Sequence, residues 1–213
     1  MPILTFPDTR QATPSTCGAS VTQGILYYYG IEKREDELIE ALGVTEEEGV
    51  GIGPIVNYLR GQGLRTTSGR MTVADLKRWL DSGVPVILMI QAWPEEGTRP
   101  DYATDLEDGH YVIAVGYGGG HILFEDPSLL SNRGYIAEND LEIRWHDVDA
   151  GDEVLDHFGV AVWGRKPSYD PKKVIHIAID RVATRWLKSR IAACRPGRTG
   201  RALPPHPKGR NWS

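Results

Sequence analysis

A single thiol stands where a helix is predicted to begin. The stretch QATPSTCGAS, residues 11–20, places Cys17 shortly after Pro14, a residue type that favours the first helical position. The first turn of a helix favours a thiolate because its unpaired N–H groups and the helix dipole stabilise negative charge. The small residues Gly18 and Ala19 would let a substrate backbone approach the sulfur. Cys17 is therefore a candidate nucleophile, the alternative being a small residue buried where the helix meets a sheet.

A cysteine nucleophile needs a base that accepts a proton and later returns it, and imidazole suits this role near neutral pH. Of the six histidines, His110 opens an apolar, strand-like run directly after a long loop and a glycine, where a side chain can face a cleft. His121 follows a glycine turn at the far end of the same predicted hairpin and is the weaker candidate. His146 and His157 lie in or near acidic stretches typical of surface or structural positions. The sequence thus favours His110 as the base.

A carboxylate that orients the imidazole is expected on the partner strand, where the sequence FEDP supplies Glu125 and Asp126. Successive residues of a strand face opposite sides, so the turn of the hairpin decides which of the two shares a face with His110. A three-residue turn at 117–119 places Asp126 on that face, whereas a two-residue turn at 118–119 places Glu125 there. Periodicity alone leaves both open.

The loop carboxylate of Asp108 is a third possibility, although a residue so near His110 in sequence is expected to face solvent. The oxyanion formed by attack on a carbonyl also needs a donor, commonly a side-chain amide together with the N–H of the nucleophile. Gln11 stands six residues before Cys17, in the loop that leads into the helix. The sequence therefore supplies a nucleophile, a base, an orienting acid and an oxyanion donor.

Together these residues resemble the papain-like cysteine peptidases that cleave bacteriocin leader peptides after a double glycine, and the stand-alone relatives of those peptidases. The resemblance extends from about Pro2 to Gly164. In that family the motif QxxxxxCGA carries the oxyanion glutamine and the nucleophile. A strand that begins with His-Tyr, followed by a strand that ends in Asp-Pro, carries the base and its orienting aspartate.

The resemblance implies a Cys17-His110-Asp126 triad with Gln11 as oxyanion donor, and a cysteine peptidase that hydrolyses peptide bonds of a leader or other peptide. It also implies the three-residue turn. Two features depart from the family: Thr16 stands where exporter-fused members have Asp, and the membrane spans and ATPase of those members are not found in this sequence. Relatives include transpeptidase-type acyl transferases and members without activity. The alternatives are therefore an acyl transferase or a non-catalytic peptide-binding or interaction module.

The elements that must position these residues fall into two halves. Four amphipathic helices packed around one side are predicted first: one capped at Thr13–Ser15 and stopped by Gly30, the segments EDELIEALG and PIVNYLRGQG, and Thr72–Ser82 with Asp75 after its cap. Four strands are predicted next: PVILMIQAW, HYVIAVGY, HILFEDP and FGVAVWG. This order gives an α+β class, with a papain-like fold implied by the resemblance.

Between the first two strands lies a polar loop, 94–108, which lacks periodicity, and loops of such length are often functional. We expect this loop to gate access of substrate to the site.

Charge divides the chain unevenly. Residues 1–170 contain 28 acidic and 13 basic residues, whereas 171–213 contain 11 Lys and Arg and the single acid Asp180. We predict a peptidase domain over 1–166, an amphipathic helical extension over 167–194 and a basic, disordered tail over 195–213. The tail could contact an acidic partner, but no nucleic-acid motif accompanies it.

Other function classes find little support in the composition. The N-terminus lacks a secretory signal and no apolar run approaches about 20 residues, which predicts a cytoplasmic protein without a transmembrane segment. Cys17 and Cys194 form neither a disulfide framework nor a CxxC pair, and Cys194 is expected to be a bystander. A metal site at Cys17, His110 and Asp126 is a rival, although structural zinc usually takes four protein ligands. We expect no cofactor and no metal.

Overall fold

A computed structural model describes residues 3–94, 96–98, 100–129, 133–149 and 153–172 of the chain. The chain divides into two units, Met1–Lys172 and Lys173–Ser213, and the described residues all belong to the first. Residues 167–172 are not helical, although the predicted extension began there. The rest of that extension, the predicted tail and Cys194 lie outside the described residues.

The described helices are short, and three of them match the predicted segments closely. They are α1 (Cys17–Tyr28), α2 (Glu35–Leu42), α3 (Ile52–Gly61), α4 (Val73–Asp81) and α5 (Glu138–Arg144). The predicted cap of α4 is present, because Thr72 Oγ1 accepts from the Asp75 N–H at 3.1 Å and the Asp75 carboxylate accepts from the Thr72 N–H at 2.9 Å. In the described residues no helix is both long and apolar enough to cross a bilayer.

Helix α1 begins later than predicted, at Cys17 rather than near Pro14. Thr16 folds its hydroxyl back onto Thr13, accepting from the Thr13 N–H at 3.0 Å and donating to the Thr13 carbonyl at 3.1 Å. These bonds close a turn before the helix, and the Thr16 side chain caps none of the helical N–H groups. The predicted cap at Thr13–Ser15 is therefore wrong, and Cys17 becomes the first helical residue.

Most strands come after α4 in the chain: β2 (Val86–Gln91), β3 (Gly109–Gly118), β4 (His121–Glu125), β5 (Gly134–Ala137), β6 (His146–Asp149), β7 (Glu153–Asp156) and β8 (Phe158–Trp163), whereas β1 (Arg65–Arg70) precedes α4. Six of them form an antiparallel sheet in the order β1-β8-β2-β3-β4-β5, and β6 pairs with β7 in a separate two-stranded sheet. The four predicted strands are present, and helices with an antiparallel sheet confirm the α+β class.

Both faces of the sheet are covered, so the prediction that all four helices lie on one side is wrong. Alternate residues of β2 enter two cores: Ile87 and Met89 pack with α1, α2 and α3, whereas Leu88 and Ile90 pack with α4 and with Leu141 of α5. A strand that buries both sets of side chains needs helices on both sides. The continuous apolar sequence of β2 reflects this arrangement.

The hairpin of β3 and β4 has a turn that neither prediction described. Gly118 pairs with His121, so the turn consists of Gly119 and Gly120. Their φ angles of +60° and +78° are the left-handed values that a tight two-residue hairpin turn requires and that glycine adopts without strain. The three-residue turn implied by the family resemblance, at 117–119, is therefore wrong.

A β-bulge in β3 changes which residue of the FEDP sequence shares a sheet face with His110. The register of β3 against β4 shifts at Val115, where one extra residue lies between two paired ones. Because an extra residue reverses the alternation of side chains, Asp126 rather than Glu125 comes to the face of His110. The two-residue turn without the bulge would have brought Glu125 there.

Candidate active site

Cys17 combines a half-buried side chain with an unused backbone donor. It is the first residue of α1, and the N-terminal turn lacks a side-chain cap. No acceptor for the Cys17 N–H is found among the described residues. Free N–H groups at a helix start stabilise negative charge, so both the thiol and an oxyanion beside it would benefit from this position.

Packing, not substrate access, explains the small residues after Cys17. A Cβ atom at Gly18 would lie 2.3 Å from Cγ1 of Val50, and Ala19 is fully buried in the core. The expectation that Gly18 and Ala19 clear a path for a substrate backbone is therefore wrong. Glycine is required at 18 because the segment before α3 packs directly against the first turn of α1.

His110, the second residue of β3, links the thiol to a carboxylate. Its ring is only 6% exposed, its Nε2 lies 2.8 Å from Oδ1 of Asp126, and the Cys17 side chain is near enough to act on its pKa. Because Nε2 is taken by Asp126, we infer that Nδ1 faces the thiol. Burial disfavours the imidazolium, but the hydrogen bond to Asp126 and the interactions with the Asp126 and Cys17 side chains outweigh it and raise the pKa of His110 to about 9.

Asp126, directly after β4, receives hydrogen bonds on both carboxylate oxygens. Besides His110, the Ser128 N–H donates to Oδ1 at 2.8 Å and the indole Nε1 of Trp93 donates to Oδ2 at 3.1 Å. Burial alone would raise the pKa of Asp126, but the bonds from His110, Ser128 and Trp93 together lower it. The carboxylate is therefore held ionised and fixed in orientation.

Glu125, the alternative partner, faces away from His110. Its Oε1 accepts from the Thr9 N–H at 2.7 Å, and its carboxylate forms an ion pair with Arg133. The side chain is 1% exposed. Glu125 therefore ties the N-terminal segment to the sheet and does not orient the imidazole.

Gln11 lies beside the turn that leads into α1. Its Nε2 donates to the carbonyl oxygens of Thr13 at 2.9 Å and Pro14 at 3.2 Å, and its Oε1 accepts from the Ser128 hydroxyl at 3.1 Å. The Gln11 N–H also donates to the Pro127 carbonyl at 3.1 Å. These contacts join the loop before Cys17 to the turn that carries Asp126. An oxyanion could recruit the Gln11 amide only by taking over one of its two present acceptors.

Two residues near Cys17, His110 and Asp126 were not identified in the sequence analysis. Trp93 follows β2 and bonds Asp126, and an aromatic residue shortly after an apolar strand is the signal that could have marked it. Asp147 in β6 places its carboxylate against Gly109, where a Cβ atom would meet Oδ2 at 2.3 Å. Burial raises the pKa of Asp147 to about 6. The glycine before His110 is thus needed to make room for this carboxylate.

The other histidines lie in separate contacts. His121 bonds the Gly119 carbonyl, His146 bonds the Asp105 carbonyl, and His157 pairs with Asp156 and Glu142. His176 and His206 fall outside the described residues. None of the three described histidines contacts Cys17 or Asp126, so His110 is the base candidate that the fold brings to the thiol.

Asp108 and the loop 94–108 lie beside β2 and β3. The Asp108 N–H donates to Oε1 of Gln91 at 3.0 Å, and the Asp108 carbonyl accepts from the Ala92 N–H at 2.8 Å. Where the structure describes the chain, no three His, Cys, Asp or Glu side chains are grouped so as to hold a metal ion. Cys17, His110 and Asp126, the residues of the rival metal site, are not grouped in this way.

Structural likeness extends over most of the chain. The peptidase domain of Streptococcus ComA, a bifunctional ABC transporter involved in quorum sensing, is 16% identical over 74% of this chain and 97% of its own length, with a TM-score of 0.55. A double-glycine-motif protease from an AMS/PCAT transporter, solved with its leader peptide, is 16% identical over 78% and 94%, with a TM-score of 0.54. A putative C39-like peptidase from Bacillus anthracis is 16% identical over 78% and 98%, with a TM-score of 0.58.

At this identity the structural likeness establishes the fold alone, a papain-like arrangement of helices and antiparallel sheet shared with double-glycine peptidase domains. No curated protein matches the sequence. The model of the Peptidase_C39-like family matches residues 3–150, which is most of the chain and includes Gln11, Cys17, His110 and Asp126. The chain therefore belongs to the Peptidase_C39-like family.

Proposed function

We propose that the protein is a cysteine peptidase that hydrolyses peptide bonds with Cys17 as nucleophile, His110 as base and acid, and Asp126 as the group that orients the imidazole. The observation that carries the proposal is the position of His110. One buried ring bonds Asp126 at 2.8 Å and lies close enough to the Cys17 side chain for this group to raise its pKa. A thiol, an imidazole and a carboxylate joined in this order are what nucleophilic catalysis by cysteine requires.

Acylation begins when the thiolate attacks the carbonyl carbon of the scissile peptide bond, and the carbonyl π electrons move to oxygen. The unused N–H of Cys17 stabilises this oxyanion, and Gln11 adds a second donor by turning one Nε2 hydrogen away from the Pro14 carbonyl. The tetrahedral intermediate then collapses, the C–N bond breaks, and the imidazolium of His110 gives its proton to the leaving amine. A thioester on Cys17 remains.

Deacylation uses the same groups in the reverse sense. His110, now neutral, takes a proton from water, and the hydroxide equivalent attacks the thioester carbonyl. The C–S bond breaks and the carboxylic acid product leaves. Cys17 is again a thiolate beside the protonated His110. Asp126 keeps the imidazole in one orientation throughout, because Ser128 and Trp93 hold the carboxylate itself.

The substrate in this proposal is a peptide, either a leader segment or another peptide. A structural neighbour solved in complex with its leader peptide supports peptide binding by this fold. Thr16 stands where exporter-fused members have Asp, and its hydroxyl closes the turn before α1 by bonding the backbone of Thr13. The cytoplasmic location, the gating role of loop 94–108 and an acidic partner for the basic C-terminal segment stay predictions of the sequence.

The test of the nucleophile is alkylation of the full-length protein with iodoacetamide at mildly acidic pH, with labelling at each cysteine followed by mass spectrometry. Cys17 should react at least about tenfold faster than Cys194, and the His110→Ala variant should remove this advantage. Cys17→Ser is the control that assigns the fast label. Equal labelling rates at Cys17 and Cys194 in the wild type would contradict the proposed nucleophile.

A further inference from the structure

A cavity of about 310 Å³ adjoins the carboxylate of Asp126. Asp126 lines the cavity, and so does Trp93, which bonds Oδ2 of the same carboxylate that bonds His110 through Oδ1. The remaining walls include Tyr102, Phe124, Leu129, Tyr135 and Ile136. The cavity is therefore continuous with the candidate active site and mostly apolar in its lining.

The charged groups of the cavity are all paired. Arg144 bonds Asp140 at 3.0 Å and lies 3.6 Å from the centre of the Tyr102 ring, and Asp126 is saturated by its three donors. A charged ligand group would find no free counter-charge among these side chains, so the free-energy cost of removing it from water would not be offset. A neutral, apolar group fits this lining best.

One aromatic side chain of the cavity is open toward solvent. Trp93 is 55% exposed, and an exposed aromatic beside a cavity is typical of a binding surface. Trp93 also has a φ of +57°, a left-handed value that is costly for a bulky residue. Such strain occurs mostly at functional positions, where surrounding contacts maintain it. Here the indole bond to Asp126 is one such contact.

The chemistry of the proposed function indicates which part of a substrate lies near the cavity. The oxyanion points to the N–H of Cys17, whereas the leaving nitrogen must lie beside His110 because it receives the imidazolium proton. The proton leaves from Nδ1, so we infer that the residues after the scissile bond run along the imidazole toward Nε2, beside which Asp126 and Trp93 lie. An extended peptide advances about 3.4 Å per residue, so one or two residues reach the cavity.

We propose that this cavity binds an apolar side chain, preferably an aromatic one, from the first or second residue after the scissile bond. The inference rests on the proposed function for its choice of occupant. It assigns to Trp93 two roles, since the side chain both holds Asp126 and forms a wall for the leaving segment. The candidate peptidase would then prefer an apolar residue after the scissile bond, independently of how it recognises the residues before that bond.

Binding without catalysis is the first arm of the test. The full-length Cys17→Ala protein is titrated with N-acetylphenylalaninamide and N-acetylalaninamide, and binding is followed by saturation-transfer NMR. We expect saturation of the aromatic amide only, and a several-fold weaker signal in Leu129→Ala, which removes part of a wall, and in Ile136→Phe, which fills space. Val154→Ala changes a side chain that is 53% exposed and lies on β7, and it should leave binding unchanged.

Acyl transfer is the second arm. Cys17 of the wild type displaces p-nitrophenolate from the p-nitrophenyl ester of N-acetylglycine, forming a thioester. An added amine then attacks the thioester carbonyl, the C–S bond breaks, and an amide forms in competition with the acid made by water. We expect phenylalaninamide to give at least about tenfold more amide than glycinamide does, and Ile136→Phe to remove this difference.

The two arms separate failure of the inference from failure of the proposed function. Absence of a Cys17-dependent release of p-nitrophenolate, relative to Cys17→Ala, would overturn the proposed function, and the binding arm would still decide the cavity. Equal binding of the two acetylated amides, or binding unaffected by both cavity variants, would overturn the cavity assignment. If the thioester forms normally but phenylalaninamide and glycinamide give equal amounts of amide, the cavity does not bind residues that follow the scissile bond.

Discussion

Asp126 Oδ1 lies 2.8 Å from His110 Nε2 because a β-bulge at Val115 compensates for a two-residue turn. The turn alone would give the face of His110 to Glu125, and the bulge gives it to Asp126. The residue next to it in sequence, Glu125, faces the opposite side and pairs with Arg133. Two adjacent carboxylates thus have separate roles, and variants at each can tell those roles apart.

Replacement of Asp126 by Asn should lower the pKa of His110. Burial lowers this pKa, and the bond to Asp126 is the largest of the contributions that raise it to about 9. An amide can still accept a hydrogen bond but carries no charge, so the pKa should fall from about 9 toward 6.5. NMR titration of the His110 ring measures it. An unchanged midpoint in Asp126→Asn would contradict the pairing.

Replacement of Glu125 by Gln is the matched control and should act on stability. Loss of the charge leaves Arg133 without its buried partner and weakens the bond from Thr9, which should cost about 3 kcal/mol of unfolding free energy. Urea denaturation measures this cost, and the pKa of His110 should stay near its wild-type value. A shift of that pKa as large as in Asp126→Asn would show that the two carboxylates are not independent.

Replacement of Gly109 by Ala should be destabilising because of Asp147. The new Cβ would lie 2.3 Å from Oδ2 of Asp147, so strand or carboxylate must move, at a cost of about 1–3 kcal/mol. Gly61→Ala is the control, since nothing lies within 4 Å of its Cβ position and Gly61 is helical. In an Asp147→Ala background the cost at Gly109 should largely vanish. Additive losses in the double variant would contradict this steric account.

The charge of His110 should determine how Cys17 reacts with charged reagents. Below a pH of about 9 the imidazolium attracts iodoacetate, so the ratio of its alkylation rate to that of iodoacetamide should be high. Because the pKa of His110 is raised, this ratio should fall as the pH rises through about 9, and the fall should be absent in His110→Ala. A ratio that declines already near pH 6.5 would indicate an unperturbed imidazole.

Sequence patterns predicted those parts of the fold whose residues are buried in a regular way. VILMIQ is buried at every position and was recognisable as a central strand, and the box of Thr72 and Asp75 marked the start of α4. The strand β1, RTTSGR, escaped prediction because its side chains are polar and mostly exposed at the sheet edge. Its place depends on pairing with β8, which is a contact distant in sequence.

The candidate site was predictable as residue types and not as geometry. Cys17, His110, Asp126 and Gln11 could be named from their spacing, but the bulge at Val115 leaves no mark in the alternation of β3. Asp147 and Trp93 reach the site from other elements, so their roles depend on tertiary packing rather than on local pattern. Gly18 was misread for the same reason, since its neighbour Val50 lies in the segment before α3.

Peptide cleavage in H₂¹⁸O tests the central claim most directly. A peptide library made by digesting a proteome is incubated with the full-length protein, and mass spectrometry identifies new termini. We predict new carboxyl termini that carry one ¹⁸O with the wild type and none with Cys17→Ala, because water resolves the thioester. Joined peptides without ¹⁸O would instead indicate acyl transfer to amines. Cleavage that persists in Cys17→Ala, or a wild type that labels at Cys17 yet yields no new termini, would contradict a cysteine peptidase.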